Sequence, residues 1–299
     1  MKIRCETCMH HCCLEEGQTG RCLARAVRDG RLQAVNYGQV TSLALDPIEK
    51  KPLSRFYPGS RILSMGSFGC NLGCPFCQNH EIAMAGGAEN HKTAMAEESE
   101  SHKTAVSVRT WMEQNTVYLS PEALTEQAEK LKAAGNIGVA YTYNEPLTGW
   151  EYVRDTARFV REAGMKNVIV TNGSFTDTVL DAVLPLTDAM NIDLKGFTEE
   201  YYRKLGGDLE TVKHFIRRAY EACHVELTTL IVPGENDSRE EMERLSSWIA
   251  SIDRRIPLHV TRFFPRWKMT DREATDIGVV YELAETAREF LDDVSMGNC

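Results

Sequence analysis

At 299 residues the chain can hold one large α/β domain or two smaller ones, and its 42% hydrophobic content supports a packed core. A formal charge of −9 with scattered basic residues argues against a nucleic-acid groove, which needs a basic face. The segment Met1-Lys-Ile-Arg-Cys5 is no apolar leader, and no run approaches the roughly 20 apolar residues of a membrane span; a cytoplasmic protein with no membrane partner is expected.

Ten cysteines are many for a reducing compartment, where clustered thiols read as metal ligands rather than disulfides. Eight of them precede residue 78, so the metal chemistry is N-terminal. Residues 1–60 form a cysteine-rich metal-binding region with short strand-like runs at Leu32–Tyr37 and Val40–Ala44. Within it, Cys5-x2-Cys8-x3-Cys12-x9-Cys22 supplies four thiolates, with Cys13 spare and Gly17 and Gly20 permitting the turn. Four thiolates suit zinc or an auxiliary iron–sulfur cluster equally in number. Zinc is favoured, and His10 or His11 could replace one cysteine.

From Arg61 the pattern alternates strand and helix, and a core of residues 61–299 is expected. Ile62–Ser67 reads as a strand entering a loop that holds Cys70-Asn-Leu-Gly-Cys74-Pro-Phe-Cys77. Three thiolates on one tight loop leave one iron of a four-iron cluster without a protein ligand, and that iron can bind substrate directly. The plainer reading is a structural zinc with His80 as fourth ligand. Residues 85–117 are polar, with the echo His91-Lys-Thr-Ala94 and His102-Lys-Thr-Ala105, and read as a solvated insertion.

Ser120-Pro121 opens a helix that Gly135 stops, and Ile137–Tyr143 is the next strand. A helix from Trp150 to Gly164, the strand Lys166–Thr171, a short helix Asp177–Val183 and the strand Ala189–Leu194 follow. Helical stretches over Glu199–Ala222 precede the strand Val225–Val232. The helix Arg239–Ile252, a sixth strand Leu258–Thr261 and a last helix Val279–Leu291 complete the series. Six strand–helix units imply an α/β fold with a parallel sheet, either doubly wound or an incomplete barrel. In both, ligands sit at the carboxyl ends of the strands. Tyr143-Asn144-Glu145, Thr171-Asn172-Gly173 and Asn191-Ile-Asp193-Leu-Lys195 fall there. Period-two alternation puts Asn191, Asp193 and Lys195 on one face, where an Asp–Lys pair would plug the barrel end or serve a ligand. His259 and Thr261 share a face of the sixth strand, and His259 reads as a core histidine or a substrate contact.

The spacing Cys-x3-Cys-x2-Cys with Phe76 before the last cysteine resembles the cluster loop of radical S-adenosylmethionine (SAM) enzymes. More narrowly, Gly69-Cys-Asn-Leu-Gly-Cys-Pro-Phe-Cys-Gln-Asn79 looks like the pyruvate formate-lyase-activating-enzyme-like branch, most similar to the AmmeMemoRadiSam-system enzymes. The resemblance implies a partial (β/α)6 barrel, a [4Fe-4S] cluster on Cys70, Cys74 and Cys77, and S-adenosylmethionine as cofactor. It implies cofactor contacts at Phe76, Asn144, Glu145, Asn172, Asp193, Lys195 and His259. Glu145 would accept the cofactor ammonium, Phe76 would pack near the adenine, and Lys195 would meet the carboxylate or ribose. Asp193 would order the site, through a monovalent cation in one version. Tyr143 and Asn144 stand where the superfamily carries two glycines.

The implied reaction is reductive cleavage of S-adenosylmethionine to a 5′-deoxyadenosyl radical that abstracts hydrogen. The implied substrate is a glycine of a partner enzyme; a small molecule or peptide is the alternative. A flavodoxin- or ferredoxin-type protein would supply the electron. A non-enzymatic, cysteine-rich zinc-binding protein is the reading from a different class.

Overall fold

The computed structural model describes residues 2–85 and 108–299. Its centre is an eight-stranded sheet: β1 (Ser42–Pro47), β2 (Arg61–Gly66), β3 (Asn136–Tyr141), β4 (Lys166–Thr171), β5 (Ala189–Asp193), β6 (His224–Ile231), β7 (Leu258–Arg262) and β8 (Val294–Gly297). The strands lie side by side in chain order. From β2 to β8 they are parallel, and β1 joins the edge antiparallel to β2. A doubly wound sheet reverses its strand order at a switch point. No reversal occurs here, so the fold is the partial barrel, open between β1 and β8.

The helices cover the sheet: α1 (Pro121–Lys130), α2 (Trp150–Glu162), α3 (Asp177–Val183), α4 (Glu199–Leu205), α5 (Leu209–Tyr220), α6 (Arg239–Ile252) and α7 (Ile277–Arg288). Their starts follow local chemistry. The Ser120 hydroxyl accepts the Ala123 amide with proline at the first helical position, and the Ser238 hydroxyl accepts the Glu241 amide. Each such cap is worth about 1 kcal/mol. The helix after Ser120 ends at Lys130, and a 3-10 turn carries the chain to Gly135 at φ +87°. Val139, Val160, Ile169, Leu180, Phe215 and Leu245 are among the fully buried side chains of the shared core.

The structure adds two strands to the six expected. β8 is a short, half-buried run with no alternation to betray it. The expected run Val40–Ala44 is divided: Gln39–Val40 pairs with Val117–Tyr118, while Ser42–Pro47 enters the main sheet. The expected run Leu32–Tyr37 is shortened to Arg31–Ala34, because the chain turns where the Tyr37 amide bonds the Ala34 carbonyl. His91 and His102 lie outside the described residues; residues 108–115 are helical.

Candidate active site

The loop after β2 crosses the carboxyl ends of β3 to β5. Two positions let it sit there. Gly69 has φ +93°, and a Cβ at that position would lie 2.5 Å from the Cys22 carbonyl oxygen. The Cys70 amide donates to that same oxygen at 3.1 Å, so the N-terminal segment forms the back wall of the loop. Asn144 holds the loop from the other side: its Oδ1 accepts the Ser67 amide (2.9 Å) and its Nδ2 donates to the Gly69 carbonyl (3.1 Å).

Cys70, Cys74 and Cys77 are free thiols, buried or half-buried. Burial pushes the Cys74 thiol up to about 12 and those of Cys70 and Cys77 upward as well, with Lys195 partly opposing this at Cys74 and Cys77. Thiols in that setting become thiolates only when a metal compensates the charge. The Cys70 sulfur already accepts the Leu72 amide at 3.4 Å, and Asn172 Nδ2 lies 3.8 Å away. Among the described residues no three His, Cys, Asp or Glu side chains converge on one ion, as a structural zinc would require. His80 turns Nδ1 to the Cys77 carbonyl (3.3 Å) and stacks on Trp267. The three cysteines therefore fit a multi-atom cluster.

Glu145 is buried beside this loop. Its Oε1 accepts the Leu147 amide (3.1 Å) and the Thr171 hydroxyl (2.8 Å), and its Oε2 accepts the Asn172 amide (2.7 Å). A carboxylate has about four acceptor sites. Three are filled, none by a cation, and one is open. Desolvation raises the carboxyl to about 7 despite those bonds. Asn172 bridges the parts: its Nδ2 donates to Asn71 Oδ1 at 2.8 Å.

Lys195 Nζ and Asp193 Oδ2 form an ion pair at 2.7 Å, both side chains half-buried. Burial works against the ammonium, but Asp193 and the sulfurs of Cys74 and Cys77 outweigh it and hold Lys195 well above its usual range. Asn191, on the same strand, lies deeper, with Nδ2 on the Pro52 carbonyl and Oδ1 accepting from Thr228. Phe76 packs edge-on against Phe263 beneath the segment after β7. His259 is bonded to buried Glu226 at 2.7 Å, within the barrel rather than beside Glu145.

Two features had no clear sequence signal. Tyr143 adopts φ +71°, a left-handed conformation costly for an aromatic residue. Its hydroxyl donates to Asp46 Oδ2 (2.6 Å) and Lys51 Nζ sits 4.6 Å from its ring, so residues on and after β1 hold it in place. The sequence hint was that Tyr143 stands where the superfamily motif carries a glycine. The part-buried pair Arg25–Glu151 (2.6 Å) joins the strand Arg25–Arg28, which pairs with Arg31–Ala34, to α2, and its 126-residue separation conceals it in the sequence.

Residues 66–246 match the Radical SAM superfamily profile. An uncharacterized protein of Methanocaldococcus jannaschii, MJ0808, is 37% identical over 99% of this chain and 81% of its own length. The pyruvate formate-lyase 1-activating enzyme of Escherichia coli is 25% identical over 64% of this chain and 69% of its own. A radical SAM methyltransferase from Sphaerobacter thermophilus shares the fold at a TM-score of 0.54 and 13% identity, covering 81% of this chain and 67% of that one. The chain belongs to the radical SAM superfamily.

Proposed function

We propose that this enzyme binds S-adenosylmethionine against a cluster held by Cys70, Cys74 and Cys77 and abstracts a hydrogen atom from a glycine of a partner protein. The observation that carries the reading is the open acceptor site of Glu145 next to the three-cysteine loop. A cluster and cofactor held there would supply one-electron cleavage of a carbon–sulfur bond.

The chain's own residues bind and aim. Glu145 accepts the cofactor ammonium at its free site, a charge-assisted bond that offsets the carboxylate's desolvation. Asn172 fixes that carboxylate through its amide and reaches the Cys70 sulfur with its side chain. Lys195 offers a cation to the cofactor carboxylate or ribose, with Asp193 orienting it. Asn144 keeps the loop in register, and Phe76 closes the apolar side of the pocket. His259 supports the barrel interior through Glu226. Residues 1–60 act as a metal-binding extension of the core, which takes Ser42–Pro47 as its edge strand.

Similarity to an activating enzyme supports a protein substrate, and a flavodoxin or ferredoxin as electron donor accords with it. Oxygen-free protein given dithionite and S-adenosylmethionine is expected to release 5′-deoxyadenosine. No release would end the reading. Deuterium from a candidate partner labelled at the glycine α-carbon should appear in that product, and its absence would remove the glycyl-radical half only.

A further inference from the structure

Four cysteines outside the active-site loop line one small, partly enclosed cavity. Cys5, Cys8, Cys12 and Cys22 line it, with Arg21 and Arg25 at its border. Three come together through the chain's own turns: the Cys5 amide donates to the Cys12 carbonyl (2.9 Å), and the His11 amide closes back on the Cys8 carbonyl (3.1 Å). Cys22 arrives on the strand side, held by its carbonyl bond from Cys70. Cys13 stays exposed, its thiol near the His11 carbonyl.

We propose that Cys5, Cys8, Cys12 and Cys22 hold a second four-iron cluster, not a zinc ion. Size decides between them. Zinc draws four thiolate sulfurs to about 2.3 Å from one centre, which leaves no space among them. Here the four cysteines, with eight other residues, line a cavity that keeps about 10 Å³ of free space. Among the described residues no three candidate ligands converge on a single-ion position. The active-site triad likewise forms no single-ion group among the described residues, and its superfamily places a cubane there.

Charge and polarity agree. Burial raises the thiols of Cys8, Cys12 and Cys22, and the backbone amides of His10, Arg21 and Ala24 turned to those sulfurs oppose it in part. A four-thiolate cluster is anionic overall, and two guanidinium groups border it. The Nε of Arg21 and of Arg25 are buried without partners, and Arg25 itself is only 5% exposed. His10 also touches the cavity, but its Nε2 is engaged with the Asn71 carbonyl at 2.8 Å, which leaves the cysteines as the ligand set.

The placement gives the second centre its meaning. Asn71 lies between the two cysteine sets: its side chain favours the thiolate of Cys8 and accepts from Asn172, which reaches the Cys70 sulfur. The second cluster would have all four irons ligated and no open corner, so it binds no S-adenosylmethionine. It would stand directly behind the active-site loop, with Cys22 and Cys70 joined through their backbones.

The test uses the full chain, purified without oxygen from iron-supplemented culture, with the triad removed as C70A/C74A/C77A. Iron, sulfide and zinc are counted per monomer. The expected result is about four irons and about four sulfides, with broad absorbance near ~400 nm, against about eight irons in the unaltered chain. One zinc without iron, or no metal at all, overturns the proposal. As a second variant, C5S/C22S in the unaltered chain should lose about half of the iron while keeping the triad's share. If that variant fails to fold, the triad-free chain decides alone. The iron count is independent of 5′-deoxyadenosine release, so failure here and failure of the proposed reaction are read separately.

Discussion

Two carboxylates are buried in the same barrel, and they are treated in opposite ways. Glu226, on β6, receives five donors: the Ser54 amide and hydroxyl, the Arg55 amide, and the imidazoles of His224 and His259. Burial alone would raise its pKa, but these bonds overcome it and hold Glu226 well below the usual carboxylate range. Glu145 receives three donors, none of them ionisable, and burial prevails, raising it to about 7. A saturated carboxylate anchors the loop of residues 54–55 to the sheet. An unsaturated one is poised for a cationic ligand. Donor count therefore separates structural from functional acids here, where burial does not.

The contrast can be broken most forcefully at Glu226. Glu226→Ala strands two imidazoles and two backbone amides, and should cost about 3–5 kcal/mol in denaturant unfolding. A loss under 1 kcal/mol would show that Glu226 is no anchor. Glu145→Gln keeps the shape but removes the charge. It should weaken S-adenosylmethionine binding about 10- to 150-fold by calorimetry, since hydrogen bonds to charged groups are worth about 1.5–3 kcal/mol. Unchanged affinity would sever Glu145 from the cofactor.

pH sharpens the comparison next. Glu145 has a folded pKa of about 7, above its unfolded value of 4.5. Its ionisation therefore burdens folding: the burden is absent at low pH, grows as pH rises from 4.5 to 7, and is complete above. Glu145→Gln should gain stability over the parent through that window. Cofactor affinity should fall about tenfold per pH unit below 7 in the parent and stay flat in the variant. Glu226 carries the reverse sign, since its pKa is depressed: its stabilisation is present above its unfolded value and lost as pH falls through the acid range. An acid-unfolding midpoint that is the same in Glu226→Gln would contradict this. The smallest effect is expected at Ser54→Ala, which removes one hydroxyl but leaves the amide bond to Glu226. A loss of about 0.5–1.5 kcal/mol should appear in chemical denaturation.

Much of this was legible in the sequence, for identifiable reasons. The cluster loop, the capped helices and the six main strands rest on local signals: cysteine spacing, Ser-Pro starts and runs of apolar residues. Glu145, Asn172 and Lys195 could be placed at strand ends because motif and strand adjoin in the chain. The direction of His259 could not, because its partner Glu226 lies 33 residues away and only the β6–β7 register brings them together. Composition and periodicity left barrel and doubly wound sheet open; the resemblance implied the barrel, and the strand order agrees with it. β8 and the division at Thr41 were hidden because both runs are short and decided by their neighbours.

The contact at Gly69 restricts how this lineage can vary. Any side chain there strikes the Cys22 carbonyl, and without the N-terminal segment the Cys70 amide would lose its acceptor. The first two dozen residues are thus not a detachable module: a chain trimmed before Ala24, or one given a foreign leader piece, would need a recut catalytic turn to match.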